Sequence, residues 1–96
     1  MNNFNCDHIR QTLETGATLL DVRSTDEFKT GCLPNAKNIP LAVLPLLAHE
    51  HLDKDEPILI YCRSGGRAIM AEKILAGLGF SEVINIGGIH HYQNCH

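Results

Sequence analysis

No apolar stretch in the 96 residues approaches the length of a bilayer span. The N-terminus, Met1-Asn2-Asn3-Phe4-Asn5, lacks the basic segment and apolar core of a secretory leader. These two absences predict a soluble, cytoplasmic chain with no membrane partner. Excess positive charge is missing too. A net charge of -3 and a pI near 6.0 leave no broad attraction for nucleic acid or an anionic surface, so any anion site must be local. There is no repeat, linker or low-complexity segment. With 44% apolar and only 20% charged residues, the chain should fold and is not a disordered tail. Its length limits it to one core, a single domain over 1–96, and nothing in it demands more than a monomer.

Four cysteines, Cys6, Cys32, Cys62 and Cys95, are even in number, which in a secreted chain would suggest two disulfides. Without a leader, and with a core large enough to need no staple, reduced thiols are expected. On that reading Cys6 packs, and Cys32 and Cys95 are expected to be spectators, the alternative being that either accepts sulfur from Cys62 or forms a disulfide with it. His90, His91, Cys95 and His96 superficially suggest a metal site. Adjacent histidines on a terminal helix should point in different directions, so a solvated tail without metal is expected.

What the chain does have is an alternation of strand and helix signals. Phe4-Asn5-Cys6 reads as a short first strand, with Asp7 capping a helix to about Leu13 that Gly16 ends. Thr18 to Val22 is β-rich, and Ser24 with Glu27 forms a capping box for a short helix reaching Thr30. Gly31 and Pro34 end that helix, and Ala36 to Ile39 is a brief strand before Pro40.

Leu44, Leu47, Ala48 and Leu52 then recur at helical spacing, with Pro45 placed in the first turn and His49, Glu50 and His51 left to solvent. Ile58 to Tyr61 is apolar on both faces, the mark of a parallel strand covered on both sides. Met70, Ile74 and Leu78 share a helical face with Ala71 and Leu75, Gly77 and Gly79 stop that helix, and Glu82 to Ile86 is a fifth strand before a short terminal helix through Tyr92. The order predicts a three-layer α/β domain with a mainly parallel, five-stranded sheet flanked by helices.

The chemistry concentrates in Tyr61-Cys62-Arg63-Ser64-Gly65-Gly66-Arg67. In an open parallel sheet, ligands bind beyond the carboxyl ends of the strands, and Cys62 occupies such an end. A helix N-terminus and neighbouring cations favour a thiolate over a thiol, and Arg63 and Arg67 supply the cations. Ser64-Gly65-Gly66 has the composition of a loop whose N–H groups turn inward around an anion. A nucleophilic cysteine in an anion-binding bowl fits both sulfur transfer and phosphoryl transfer. Protein tyrosine phosphatases resemble this loop but place their arginine six residues after the cysteine. Here the sixth position is Ala68 and Arg67 is the fifth, a smaller bowl better sized for a sulfane sulfur. Asp21 and Arg23 also stand at a strand end, where they are expected to hold the strand-to-helix turn.

The chain resembles the single-domain rhodaneses, the thiosulfate sulfurtransferase-like family. The resemblance runs through Leu20-Asp21-Val22-Arg23, Glu27-Phe28, the segment from Gly31 to Pro40, the loop from Tyr61 to Ala68, and Val83-Ile84-Asn85-Ile86-Gly87-Gly88-Ile89. It implies a rhodanese-like fold and a persulfide on Cys62. It also implies stabilisation by the loop amides from Arg63 to Arg67, with arginine side chains holding the donor's sulfonate.

The implied reaction moves sulfur from thiosulfate or a similar small-molecule donor to cyanide, a small thiol or a protein thiol, without a cofactor. A non-enzymatic persulfide carrier or interaction module serving a partner protein is the alternative, and a Cys-dependent phosphatase or arsenate reductase is a more distant one. Two positions depart from the family pattern. Cys32 stands where the family has histidine, and Tyr92 where it often has tryptophan. Asn35 replaces a glycine, a mild change because asparagine tolerates left-handed backbone angles.

Overall fold

The computed structural model describes residues 5–92. In chain order these form α1 (Cys6–Glu14), β1 (Thr18–Asp21), α2 (Thr25–Thr30), β2 (Lys37–Asn38), α3 (Leu44–His51), β3 (Ile58–Cys62), α4 (Gly66–Gly77) and β4 (Val83–Gly88). Turns of 3-10 helix cover Leu41–Val43 and Ile89–Tyr92. The strands form one parallel sheet in the order β2-β1-β3-β4.

The α/β class, the parallel sheet and the flanking helices agree with the sequence reading. The strand count does not: among the described residues there are four strands, not five. Of the expected first strand, Phe4 lies outside the described residues, and Asn5 is a helix cap. Its side chain accepts the His8 N–H, so Cys6 is already helical and Asp7 sits in the first turn instead of capping it. Elsewhere the local signals hold. Ser24 and Glu27 make the reciprocal capping box of α2, and Pro45 occupies the first turn of α3. Asn35 adopts φ 66°, the left-handed conformation expected of it.

β3 is the organising strand, paired on both edges and buried along its whole length. Ile58, Ile60 and Cys62 face a core closed by Leu44 and Ala48 of α3 and by Ala68, Ala71 and Leu75 of α4. Leu59 and Tyr61 point to the opposite layer, against Ile9 of α1, Leu33, Ile86 and Tyr92. This strict alternation makes the domain three layers deep. Each fully covered aliphatic side chain of β3 contributes roughly 1.5–3 kcal/mol relative to exposure.

Helix α4 presents most of the expected face, with Ala71 and Leu75 buried and Ile74 and Leu78 packed against the core, but not Met70. Ala68 is buried as well, whereas Met70 is 51% exposed. The helix starts at Gly66, and its small residues let it lie close on the sheet, turning Met70 outward. The cysteines also depart from expectation. Cys32 and Cys62 are free, but Cys6 is disulfide-bonded instead of a reduced packing thiol. Bridging depends on which parts of the chain meet in space, and spacing along the sequence does not show that. Cys95 lies outside the described residues. Among the described residues, no helix is long and apolar enough to cross a membrane.

Candidate active site

Cys62 ends β3, and only three residues separate it from the first residue of α4. The thiol is buried, and its Sγ accepts the Gly65 N–H at 2.8 Å. That bond exists because Gly65 adopts φ 102°, a conformation costly for any residue with a Cβ, which curls the chain back over the sulfur. Gly65 is also the cap of α4, accepting the Ile69 N–H on its carbonyl. The first N–H groups of a helix have no partner within it, so the α4 terminus presents donors on the side of the loop. Ser64 is exposed, and Gly66 opens the helix.

The two loop arginines are placed differently. Arg67 is half-buried and forks onto Glu27, Nη1 to Oε1 at 2.6 Å and Nη2 to Oε2 at 2.9 Å, joining α4 to α2. The hydrogen bond from Arg67, followed by that from the Ser24 N–H, holds the Glu27 carboxyl down to about 2 from an ordinary 4.5. Glu27 in turn keeps Arg67 protonated even more firmly than usual. Because the folded-state value is depressed, this contribution is present above pH 4.5 and is lost as pH falls toward 2. Glu27→Gln is expected to lower stability at pH 7 by about 1 kcal/mol, the upper range for a partly exposed pair, and to flatten the acid limb of the stability profile. Urea unfolding at a series of pH values between neutrality and acid checks both. An unchanged acid limb would contradict the assignment.

Arg63 is exposed and, among the described residues, has no ion pair. It lines an open depression together with Arg23, Glu27, Thr30, Ile89 and His90. The far wall comes from β4. A bulge shifts the β3–β4 register after Ile60, so that Tyr61 faces Gly87 and Cys62 faces Gly88. The Asn85 side chain accepts the Gly87 N–H at 2.8 Å and closes the bulge. At Gly88 a Cβ would lie 2.6 Å from the Arg63 carbonyl oxygen, so β4 passes the loop after Cys62 at a distance only glycine permits. His90 Nδ1 lies 3.2 Å from that same carbonyl oxygen.

Behind the loop, Asp21 is fully buried and Arg23 nearly so. Asp21 accepts the Arg23 backbone N–H at 2.8 Å and both Nε and Nη2 of its guanidinium, while Arg23 Nη2 also reaches the Gly31 carbonyl at 2.6 Å. The hydrogen bonds to Asp21 raise the Arg23 guanidinium further above its ordinary value. This is the turn-holding role expected of the pair, and Arg23 additionally walls the depression. Tyr61 fixes the next turn by accepting the Leu33 N–H at 3.1 Å on its hydroxyl, and burial pushes its phenol up. Cys32 is exposed beside that turn. The rings of His90 and His91 lie 4.3 Å apart, side by side instead of diverging as expected.

Glu27, Gly88 and His90 were not singled out as site residues by sequence. Glu27 carried a signal, its place in the capping box, but its second task depends on Arg67 forty residues away. Gly88 was read only as part of a family-like stretch and His90 only as part of a tail histidine cluster, because the bulge that positions them is visible only in the sheet register.

The rhodanese-like domain family matches residues 6–95. A sulfurtransferase of Allochromatium vinosum is 36% identical over 70 residues, 73% of this chain and 64% of that protein. A thiosulfate sulfurtransferase of Escherichia coli is 32% identical, over 73% of this chain and 68% of its own. The chain thus spans about two thirds of the length of these relatives. An E. coli rhodanese solved with anions superposes with a TM-score of 0.73 at 28% identity, covering 80% of this chain and 92% of that one. With the Cys62 loop at the end of a central parallel strand and this match over nearly the whole length, the chain belongs to the rhodanese-like domain family.

Proposed function

We propose that the protein is a sulfurtransferase in which Cys62 carries the travelling sulfur. The observation that carries this reading is the Cys62 loop itself. It joins β3 to α4 in three residues and aims the Gly65 N–H at Sγ, where negative charge resides before and after each transfer.

In the first half of the reaction, the Cys62 thiolate attacks the outer sulfur of thiosulfate. The S–S bond of the donor breaks and sulfite leaves with its electron pair. In the second, an acceptor such as cyanide, a small thiol or a protein thiol takes the outer sulfur of the persulfide, and the pair returns to Sγ. Arg63, without an ion pair among the described residues, suits the role of holding the donor's sulfonate. Arg67, neutralised by Glu27, suits that of bracing the loop. A loop this short supports sulfur over a tetrahedral phosphate.

Mass spectrometry after incubation with thiosulfate is expected to show one added sulfur on Cys62. Cys62→Ser should lose the adduct and lower thiocyanate production on the order of 10³-fold or more. Thiocyanate production that survives the substitution would reject the reading.

A further inference from the structure

We propose that His90 is the base that takes the proton from an acceptor thiol in the second half of the transfer, an inference that rests on the persulfide reading of Cys62. Two contacts hold its ring at the site. Nδ1 lies 3.2 Å from the carbonyl oxygen of Arg63, the residue next to Cys62 in sequence. The ring also packs over Gly88, the residue paired with Cys62 across the sheet. A Cβ there would stand 3.0 Å from His90 Cε1 and 3.1 Å from Nδ1. The imidazole is therefore positioned by both neighbours of the reactive residue, and it lines the same depression as Arg63.

The hydrogen bond selects the tautomer. A carbonyl oxygen can only accept, so Nδ1 carries the hydrogen, and in the neutral ring the lone pair is on Nε2. The other polar residues of the depression are poorly suited to the task. Arg23 and Arg63 are cations, and the Thr30 hydroxyl donates to the Glu27 carbonyl. The Glu27 carboxylate is occupied by Arg67 and Ser24 and is held at about 2. The His91 ring lies against His90 at 4.3 Å, and His91 is not among the residues lining the depression.

The step balances as a sulfur transfer between thiols. The acceptor S–H proton goes to Nε2, and the sulfur's freed pair forms a bond to the outer sulfur of the Cys62 persulfide. The S–S bond to Cys62 breaks, its pair returns to Sγ opposite the Gly65 N–H, and the imidazolium releases its proton to solvent. The acceptor class that needs this base is a thiol, mostly protonated at neutral pH. Sulfite at pH 8 arrives with its pair free and needs none.

Single-turnover discharge of thiosulfate-loaded protein, followed by mass spectrometry, separates these cases. His90→Gln, which can still donate to the Arg63 carbonyl, and His90→Ala are compared with the unsubstituted protein using 2-mercaptoethanol and sulfite as acceptors. The ratio of thiol to sulfite discharge is expected to fall about 10²-fold in both variants, and added imidazole should raise the thiol rate of His90→Ala. An unchanged ratio, equal slowing with both acceptors, or no response to imidazole overturns the assignment. If the unsubstituted protein takes up no sulfur from thiosulfate, the Cys62 reading itself fails and the role of His90 falls with it.

Discussion

Asp21→Ala is expected to lower the free energy of unfolding by about 3–5 kcal/mol, the range for breaking one partner out of a buried ion pair. The carboxylate is fully buried and satisfies three donors of Arg23: the backbone N–H, Nε and Nη2. Without it, the hydrogen bonds of the almost completely covered guanidinium fall, among the described residues, to the one with the Gly31 carbonyl, beside the Tyr61 ring 5.8 Å away. Against a total stability of roughly 5–15 kcal/mol for a domain of ordinary kind, the loss would leave the fold marginal. Urea denaturation followed by circular dichroism gives the number. The companion variant Asp21→Asn, which retains an acceptor of the same shape, should lose less. A cost below about 1 kcal/mol for Asp21→Ala would show that the guanidinium reaches water at once, and that the pair does not hold the turn.

Gly88→Ala is expected to slow persulfide loading of Cys62 about 10²-fold, the cost of misplacing reacting groups by about an ångström. Its cause is steric and not conformational. The new Cβ would stand 2.6 Å from the Arg63 carbonyl oxygen, so either β4 or the loop after Cys62 must move. The Cys62–Gly88 pairing and the Gly65-to-Sγ bond meet at that loop, which makes displacement of the loop visible in the chemistry. Overpacking of this kind also lowers stability by about 1–3 kcal/mol. Rates of sulfur uptake from thiosulfate, compared for Gly88→Ala and the unsubstituted protein, provide the check. Uptake at the original rate would mean that the carbonyl yields without disturbing the sulfur.

The two substitutions probe parts of the site that were unequally legible. The Asp21–Arg23 pair spans two residues at the end of an apolar run, and its turn-holding role could be read from that position. The Ser24–Glu27 capping box and the left-handed Asn35 were legible for the same reason, since each is settled within a few residues of chain. Local chemistry can mislead where two local outcomes compete. Asn5 as a helix cap displaced the strand expected over Phe4 to Cys6 and moved Asp7 into the first turn. On α4 only Met70 was misplaced, because it fits the apolar spacing as well as Ala68 does. Close packing of small residues on the sheet decided between them.

By itself, the sequence determined the alternation of strands and helices, the doubly buried β3, and a cysteine at its end with glycines to curl the loop and arginines to surround it. These follow from side-chain periodicity and backbone freedom, which act over one turn or one strand. Only the tertiary structure decided which arginine stays free and which is tied to Glu27, that a bulge in β4 brings Gly88 opposite Cys62, and that His90 folds back onto the Arg63 carbonyl. Those arrangements depend on sheet register and on helices meeting across the core. Contacts between residues tens of positions apart are set by packing the whole domain, and no short stretch of sequence encodes them.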